Sequence, residues 1–187
     1  MIPAENILVK ENFDPILYLG RVSEAMAGTQ DSIRSAWEMM RLVKKKNRTV
    51  WCLGNGGSLA IAQHFAQDLL KMGDMRAQSI NCPSIITAYT NDQRFEDCFF
   101  TPVRRLSEPS DLIVIFSCSG KSRNYIEFIS NFSEERRNPI IAIVGTNGGF
   151  LSEKADCCVH IKSDDYQICE TAFCVVSDLL VKLMEDK

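Results

Sequence analysis

The sequence predicts an α/β fold built around a parallel sheet with helices on both faces. Short, apolar, β-rich runs recur along the chain, and enough residues for a helix separate each run from the next. Near-continuous apolar strands that alternate with helices are typical of a parallel sheet that is buried on both sides. The runs are TVWCLG (49–54), LIVIF (112–116), IIAIV (140–144) and CCVHI (157–161), with a weaker fifth strand near QSINC (78–82).

Helical periodicity predicts the elements at both ends of the chain. Residues 14–43 carry apolar side chains at helical spacing, which indicates two amphipathic helices broken near Gly28. The stretch 168–185 has the same spacing and indicates a largely buried C-terminal helix. A chain of 187 residues fits one domain. We therefore expect a single domain over 1–187, with a helical extension at about 12–47.

Composition narrows the possible partners. The formal charge is −3, the isoelectric point is near 5.5, and the basic residues are spread along the chain. These values give no footprint for nucleic acid or for an anionic membrane, so small molecules and proteins are the expected partners. The eight cysteines lack metal-knuckle spacing and indicate buried thiols in a reducing compartment. With no apolar run near eighteen residues, we expect a soluble cytoplasmic protein and no membrane contact.

Two polar loops follow predicted strands: GNGGS (54–58) and SCSGKS (117–122). Ligands of open parallel sheets bind at the carboxyl ends of strands, beside the helices that follow. The glycines, including Gly56 and Gly57, would let a ligand approach the backbone, and the serines could form an anion nest. Ordinary turns and helix caps explain the same residues. The lysine of the GxxxxGK[ST] loop is missing, so a nucleotide cofactor is not indicated.

His64 and Asp68 lie four residues apart on the helix after GNGGS, so their side chains share one face. This spacing suits an acid/base pair or a metal pair, and it equally suits a helix-surface hydrogen bond. Asp92, in NDQRFED (91–97), is a candidate hydrogen-bonding group or a turn residue. His160 lies in the last predicted strand, where a structural role is the simpler interpretation.

The motifs as a set resemble the sugar isomerase (SIS) domain, specifically its phosphoheptose isomerase branch. The resemblance is carried by GNGGS, AQHFAQDL, ND, SCSGKS, GTNGG (145–149) and the C-terminal helix, in that order. It implies a flavodoxin-like doubly wound five-stranded sheet and a homotetramer with sites at subunit interfaces. It also implies isomerisation of sedoheptulose 7-phosphate to glycero-manno-heptose 7-phosphate, a heptose for surface polysaccharide such as lipopolysaccharide or capsule.

The resemblance also implies roles for particular residues. The serine loop would hold the phosphate, with Cys118 standing where a threonine is common. The sugar would be contacted from the GNGGS loop, the ND motif and the start of the C-terminal helix. The phosphate residues are Ser117, Cys118, Ser119 and Ser122, and the sugar residues are Asn55, Gly56, Gly57, Ser58, Asp92 and Asp165.

The chain departs from the family at the positions that carry chemistry. The family places a histidine and a glutamate on the first site helix, and a glutamine and a histidine on the C-terminal helix, often around zinc. Here His64 is kept, Asp68 replaces the glutamate, Cys169 falls at the glutamine and Ser177 at the second histidine. One interpretation is a zinc ion on His64, Asp68 and Cys169 that polarises the carbonyl, with Asp68 or a bound water moving the proton. The other is a non-catalytic sugar-phosphate sensor or partner protein, because relatives lacking the second histidine include a replication-initiation regulator.

Overall fold

The computed structural model describes residues 14–135 and 138–185. The elements follow one another as two helices, a strand, a helix, a strand, two helices, and then three strands that each precede a helix. Their bounds are α1 Pro15–Ala25, α2 Gln30–Lys45, β1 Thr49–Gly54, α3 Gly57–Lys71, β2 Arg76–Ser79, α4 Pro83–Asp92, α5 Asp97–Leu106, β3 Leu112–Ser117, α6 Arg123–Glu135, β4 Ile140–Val144, α7 Gly149–Lys154, β5 Cys157–His160 and α8 Tyr166–Met184.

The five strands form one parallel sheet in the order β2-β1-β3-β4-β5. Successive residues of a strand enter opposite cores: Val50 and Cys52 pack with α1, α2, α3 and α8, whereas Trp51 and Leu53 pack with the helices α4 to α7. Both faces are covered, which explains why the strands read as continuous apolar runs. This is the flavodoxin-like, doubly wound architecture that we predicted.

Most predicted elements are present with small shifts in their bounds. The two N-terminal helices are separated at Gly28, whose φ of +84° suits a glycine. The weak strand lies at Arg76–Ser79, slightly earlier than predicted, because Pro83 already begins α4. Asp92 ends a helix, although we expected it in a loop. Of the predicted helical extension, residues 12 and 13 lie outside the described residues.

The sheet topology creates a crevice between β1 and β3. These strands are neighbours, with Gly54 beside Phe116. The helices that follow them, however, pack on opposite faces of the sheet, α3 on one and α6 on the other. A parallel sheet opens at such a switch point, where the carboxyl ends of the strands and two helix N-termini border one space. The GNGGS and SCSGKS loops both lie at this point.

Candidate functional site

A cavity of about 340 Å³ lies between the GNGGS loop, the serine loop (residues 117–122) and the first turns of α8. The structure brings together eight of the residues predicted to bind substrate. Phe116, Tyr166 and Glu170 line the cavity as well. The eight predicted residues are Asn55, Gly56, Gly57, Ser58, Ser117, Cys118, Ser119 and Ser122.

The serine loop is shaped by its own hydroxyl groups. The backbone N–H of Gly120 donates to Ser117 Oγ at 3.1 Å, and the N–H of Lys121 donates to Ser119 Oγ at 3.3 Å. Ser122 directly precedes α6, so this loop leads into the N-terminus of a thirteen-residue helix. The partial positive charge of that terminus and the neighbouring hydroxyls are suited to binding an anion. Lys121 is exposed and does not line the cavity.

The GTNGG motif supports the serine loop from behind. Gly120 has a φ of +62°, and a Cβ there would lie 1.9 Å from the carbonyl oxygen of Gly148. The backbone N–H of Leu151 donates to the carbonyl oxygen of Gly120 at 3.2 Å. Only a glycine at position 120 allows the two loops to pack this closely. The motif therefore has a structural role beside the serine loop.

The GNGGS loop is fixed to α6 by Asn124. The side-chain amides of Asn55 and Asn124 donate to each other's oxygens, both at 3.0 Å. Asn124 is fully buried, so these bonds satisfy polar groups that water does not reach. Sequence reasoning missed Asn124, because a polar residue near the start of a helix is ordinarily a surface residue.

Glu170 is the second residue that sequence reasoning missed. The Ser58 hydroxyl donates to Glu170 Oε1 at 3.4 Å. The carboxylate lies against Gly57, where an added Cβ would come within 2.5 and 2.6 Å of its two oxygens. Of the residues that line the cavity in the described part of the chain, Glu170 alone carries a carboxylate. The sequence signal was only a polar residue on an otherwise buried helix.

His64 and Asp68 form the predicted side-by-side pair outside this cavity. His64 Nε2 lies 3.2 Å from Asp68 Oδ2, and the two side chains are 66% and 13% exposed. Neither residue lines the cavity. The imidazole faces open solvent in the single chain, whereas Asp68 is buried, so the pair joins an exposed imidazole to a buried carboxylate.

Cys169 has a different environment from the one expected of a site residue. It is fully buried, its thiol donates to the carbonyl oxygen of Ser163 at 3.1 Å, and it packs against Gly145. A hydrogen bond with Cys118 lowers the pKa of Cys169 to about 7, and the same contact raises the pKa of Cys118. Cys169 therefore contacts the serine loop from its buried side, through Cys118.

A zinc ion on His64, Asp68 and Cys169 requires all three side chains around one point, within about 2.3 Å of the metal. In residues 14–135 and 138–185, no group of three or more His, Cys, Asp and Glu side chains is arranged to hold a metal ion. The buried Cys169 thiol and the exposed imidazole do not meet this requirement within one chain. Within one chain these three residues do not fit the ion.

The remaining site candidates have local partners. Asp92 accepts a hydrogen bond from the Asn91 amide at 2.6 Å and does not line the cavity. Ser177 is buried and donates to the Cys174 carbonyl oxygen at 2.9 Å, an ordinary contact of a helix hydroxyl. His160 Nε2 lies 2.7 Å from the carbonyl oxygen of Thr146, in agreement with the structural role predicted for it.

Asp165 serves as the N-cap of α8. Its side chain accepts from the N–H groups of Gln167 and Ile168 and pairs with Arg21 at 3.0 Å. Desolvation opposes its ionisation, but the two backbone bonds and Arg21 prevail and hold the pKa of Asp165 below its ordinary value. The carboxylate does not line the cavity.

Fold and site together define a class of protein: an α/β protein that offers a small anionic ligand a serine-rich helix N-terminus at the switch point of a parallel sheet. The family model described as the SIS domain matches residues 18–145, so the chain belongs to the SIS domain family. The predicted resemblance is confirmed.

Three proteins similar to this chain are phosphoheptose isomerases. The one from Azoarcus sp. (strain BH72) is 35% identical over 127 residues, which cover 65% of this chain and 64% of that protein. The one from Aromatoleum aromaticum is 34% identical over 139 residues, 71% of this chain and 70% of that protein. The solved phosphoheptose isomerase from Neisseria gonorrhoeae is 26% identical and superimposes with a TM-score of 0.83 over 90% of this chain and 93% of that one. The chain is thus similar to phosphoheptose isomerases in both sequence and structure.

Proposed function

We propose that the chain is an aldose–ketose isomerase that acts on a phosphorylated sugar, with sedoheptulose 7-phosphate as the expected substrate and glycero-manno-heptose 7-phosphate as the product. One observation carries the proposal: a single cavity is lined both by a serine loop suited to a phosphate and by a carboxylate. Its relatives named phosphoheptose isomerase support the choice of sugar.

The phosphate binds at the serine loop. Ser119 and Ser122 present hydroxyls at the start of α6, whose N-terminal amides attract an anion. No lysine or arginine is among the residues that line the cavity in the described part of the chain. The phosphate is therefore held by neutral donors and a helix terminus. The Ser117 and Ser119 hydroxyls also shape the loop, since their oxygens accept the N–H groups of Gly120 and Lys121, and each can still donate its own hydrogen to the phosphate.

The reaction requires a proton to move between two neighbouring carbons through an enediol. A base removes the hydrogen next to the carbonyl, a proton passes between the two oxygens, and the exclusion of water protects the intermediate. The Ser58 hydroxyl and the Glu170 carboxylate, in contact with each other at the cavity, are suited to moving protons. A sugar whose phosphate lies on the serine loop would extend its carbon chain into the space that these groups border.

We propose that four copies of the chain assemble and that contacts between subunits complete the site, as the family resemblance implies. Exposed apolar side chains on α1 and α8 support this assembly, among them Leu19, Val175 and Leu179. They line an apolar groove of about 470 Å³ that a second copy could cover. The exposed His64 would then be available to a neighbouring subunit. Light scattering on purified protein tests the tetramer.

The cellular setting also belongs to the proposal. None of the helices among residues 14–135 and 138–185 is long and apolar enough to cross a membrane. We propose a cytoplasmic enzyme that supplies heptose for a surface polysaccharide. Zinc stays a prediction of the resemblance, with His64 and Asp68 as two of its ligands. Metal analysis of the wild type and of His64→Ala tests it.

An NMR experiment in heavy water tests the isomerase function. The purified protein is incubated with sedoheptulose 7-phosphate, with and without zinc, and deuterium beside the carbonyl and aldose product are followed. The proposal predicts both signals. Ligand line broadening without deuterium incorporation would contradict turnover and indicate a sugar-phosphate-binding module. The absence of both line broadening and deuterium incorporation would show that this sugar is not the ligand.

A pair of variants tests the site. Ser119→Trp fills the serine loop and is expected to abolish binding of the sugar phosphate in a calorimetric titration. Lys121→Ala, two residues away and exposed, is expected to leave the affinity within about twofold, because its charge does not line the cavity. An unaltered affinity of Ser119→Trp would contradict the assignment of the phosphate site.

A further inference from the structure

We propose that Glu170 is the general base of the isomerisation in this chain, and that Asp68, which stands at the position of the family's glutamate, is not. The inference rests on the proposed isomerase function and names the residue that performs its proton transfer. Glu170 is the carboxylate that lines the cavity with the serine loop, whereas Asp68 pairs with His64 outside it.

The surroundings of Glu170 hold its carboxylate at the cavity wall. Ser58 Oγ donates to Oε1 at 3.4 Å, and Ser58 is itself buried at the start of α3. Both carboxylate oxygens lie so close to Gly57 that a Cβ there would come within 2.6 Å of them. The glycine thus provides the space that the carboxylate occupies. This arrangement holds the carboxylate against the GNGGS loop.

The helix geometry explains why Glu170, and not Cys169, reaches the cavity. Successive residues of an α-helix are rotated by about 100° around its axis. Cys169 enters the buried side of α8, where its thiol meets the Ser163 carbonyl oxygen and Gly145. The next residue, Glu170, is partly exposed and lines the cavity. A group capable of accepting a proton therefore stands one residue after the position that the resemblance indicates.

The reaction balances when the Glu170 carboxylate is the one group that takes a proton from carbon and returns a proton to carbon. Glu170 removes a proton from C1 of the ketose, the C–H electron pair forms the C1=C2 bond, and the carbonyl oxygen takes up a proton to give the enediol. The O1 hydroxyl then loses its proton as the C1 carbonyl forms, and C2 receives the proton held by Glu170. The proton released at O1 replaces the one taken up at O2, for which the Ser58 hydroxyl is the adjacent relay. Nothing is oxidised or reduced overall, and no co-reactant is required.

The test compares Glu170→Gln, Glu170→Asp and Asp68→Asn with the wild type. Isomerisation and deuterium incorporation are measured by NMR with sedoheptulose 7-phosphate, and binding of the same sugar is measured by calorimetry. Removing a general base costs about 10²-fold to 10⁴-fold in rate. We expect Glu170→Gln to lose at least about 100-fold in kcat while its Kd stays within about threefold. We expect Asp68→Asn to lose clearly less kcat than Glu170→Gln, because the Asp68 carboxylate does not line the cavity.

Glu170→Asp separates a chemical role from a structural one. It keeps a carboxylate on a shorter arm, so it should incorporate deuterium clearly faster than Glu170→Gln. If the two variants bind the sugar and lose activity equally, Glu170 acts through shape and the inference is wrong. Wild-type kcat in Glu170→Gln, or a loss confined to Asp68→Asn, would also overturn it. Absence of deuterium in the wild type would instead contradict the isomerase function itself.

Discussion

Asn55 and Asn124 join the two loops of the cavity by exchanging hydrogen bonds of 3.0 Å in both directions. Asn55 belongs to the GNGGS loop after β1, and Asn124 belongs to the first turn of α6 after the serine loop. Their helices pack on opposite faces of the sheet, so this pair spans the switch point. The relative position of the two loops, and with it the width of the cavity, depends on the pair.

Asn124→Ala is expected to destabilise the fold and to weaken sugar-phosphate binding. The substitution leaves the Asn55 amide without its partner in a partly buried site, which costs about 1–3 kcal/mol. Urea unfolding should show that loss. Calorimetry should show a Kd raised about tenfold as the loops lose their fixed spacing. The control is Asn131→Ala on the exposed side of the same helix, where the amide donates to Glu127, and it should change stability by less than about 0.5 kcal/mol. Equal effects of the two variants would contradict the role of the pair.

Gly57→Ala is expected to reduce activity without unfolding the protein. Its Cβ would overlap the Glu170 carboxylate, a flexible group that can move away at little cost. Because a displacement of about 1 Å at a reacting group can cost about 100-fold in rate, kcat should fall by about 10-fold to 100-fold. Unfolding by urea should change by less than about 1 kcal/mol.

Gly20→Ala provides the matched control for that change. Gly20 lies inside α1, and a Cβ there meets nothing within 4 Å. Alanine should stabilise the helix by about 0.5–1 kcal/mol and leave kcat unchanged. A Gly57→Ala enzyme with full activity would show that the carboxylate need not lie against this glycine.

Asp165→Asn is expected to lower stability at neutral pH but not in acid. The folded chain lowers the pKa of Asp165, so the stabilisation is fully present above the unfolded pKa of about 4 and is lost as pH falls through the folded value. The urea midpoint of the variant should lie below that of the wild type at pH 7, and the two should converge between about pH 4 and pH 2. Asp164→Asn, at the exposed neighbouring residue, is the control and should follow the wild type. A difference in urea midpoint between variant and wild type that widens in acid would contradict a lowered pKa of Asp165.

Alkylation should distinguish the two exposed cysteines, Cys82 and Cys174. The hydrogen bond with Ser84, and then the backbone N–H of Ile85, lower the pKa of Cys82. Desolvation, followed by the charges of Asp178 and Glu170, raises the pKa of Cys174. Since the thiolate is the reactive form, limited iodoacetamide treatment at pH 7.5 should label Cys82 first, as read by mass spectrometry. Ser84→Ala should reduce the difference in labelling rate between Cys82 and Cys174. Labelling of Cys174 before Cys82 would contradict the prediction.

The sequence predicted the sheet because its strands are buried on both faces and therefore form apolar runs that no helix surface would show. The positions of the GNGGS and serine loops were equally predictable from the sequence, since glycine and serine clusters after such strands fall at the carboxyl edge of the sheet. The helices α4 and α5 were harder to predict. Asp92 lies in a polar stretch that reads as a turn, and Pro102 interrupts the helical pattern of α5.

Which side chain of α8 enters the cavity depends on its direction around the helix axis, which the spacing of motifs in the sequence does not reveal. The resemblance indicated Cys169 on α8, and the structure turns the following residue, Glu170, into the cavity. A difference of one residue changes the direction of a helical side chain by about 100°, so Cys169 and Glu170 reach different surroundings although they are adjacent in sequence. Asn124 poses the same difficulty, because its partner lies 69 residues away in sequence.

A crystal structure with sedoheptulose 7-phosphate bound tests the site and its proposed base most directly. The expected result places the phosphate within about 3 Å of Ser119 and Ser122 and of the N-terminal amides of α6. It also places C1 and C2 of the sugar about 3–3.5 Å from the Glu170 carboxylate. A phosphate bound away from the serine loop would contradict the site, and a sugar whose C1 and C2 face His64 and Asp68 would contradict the base.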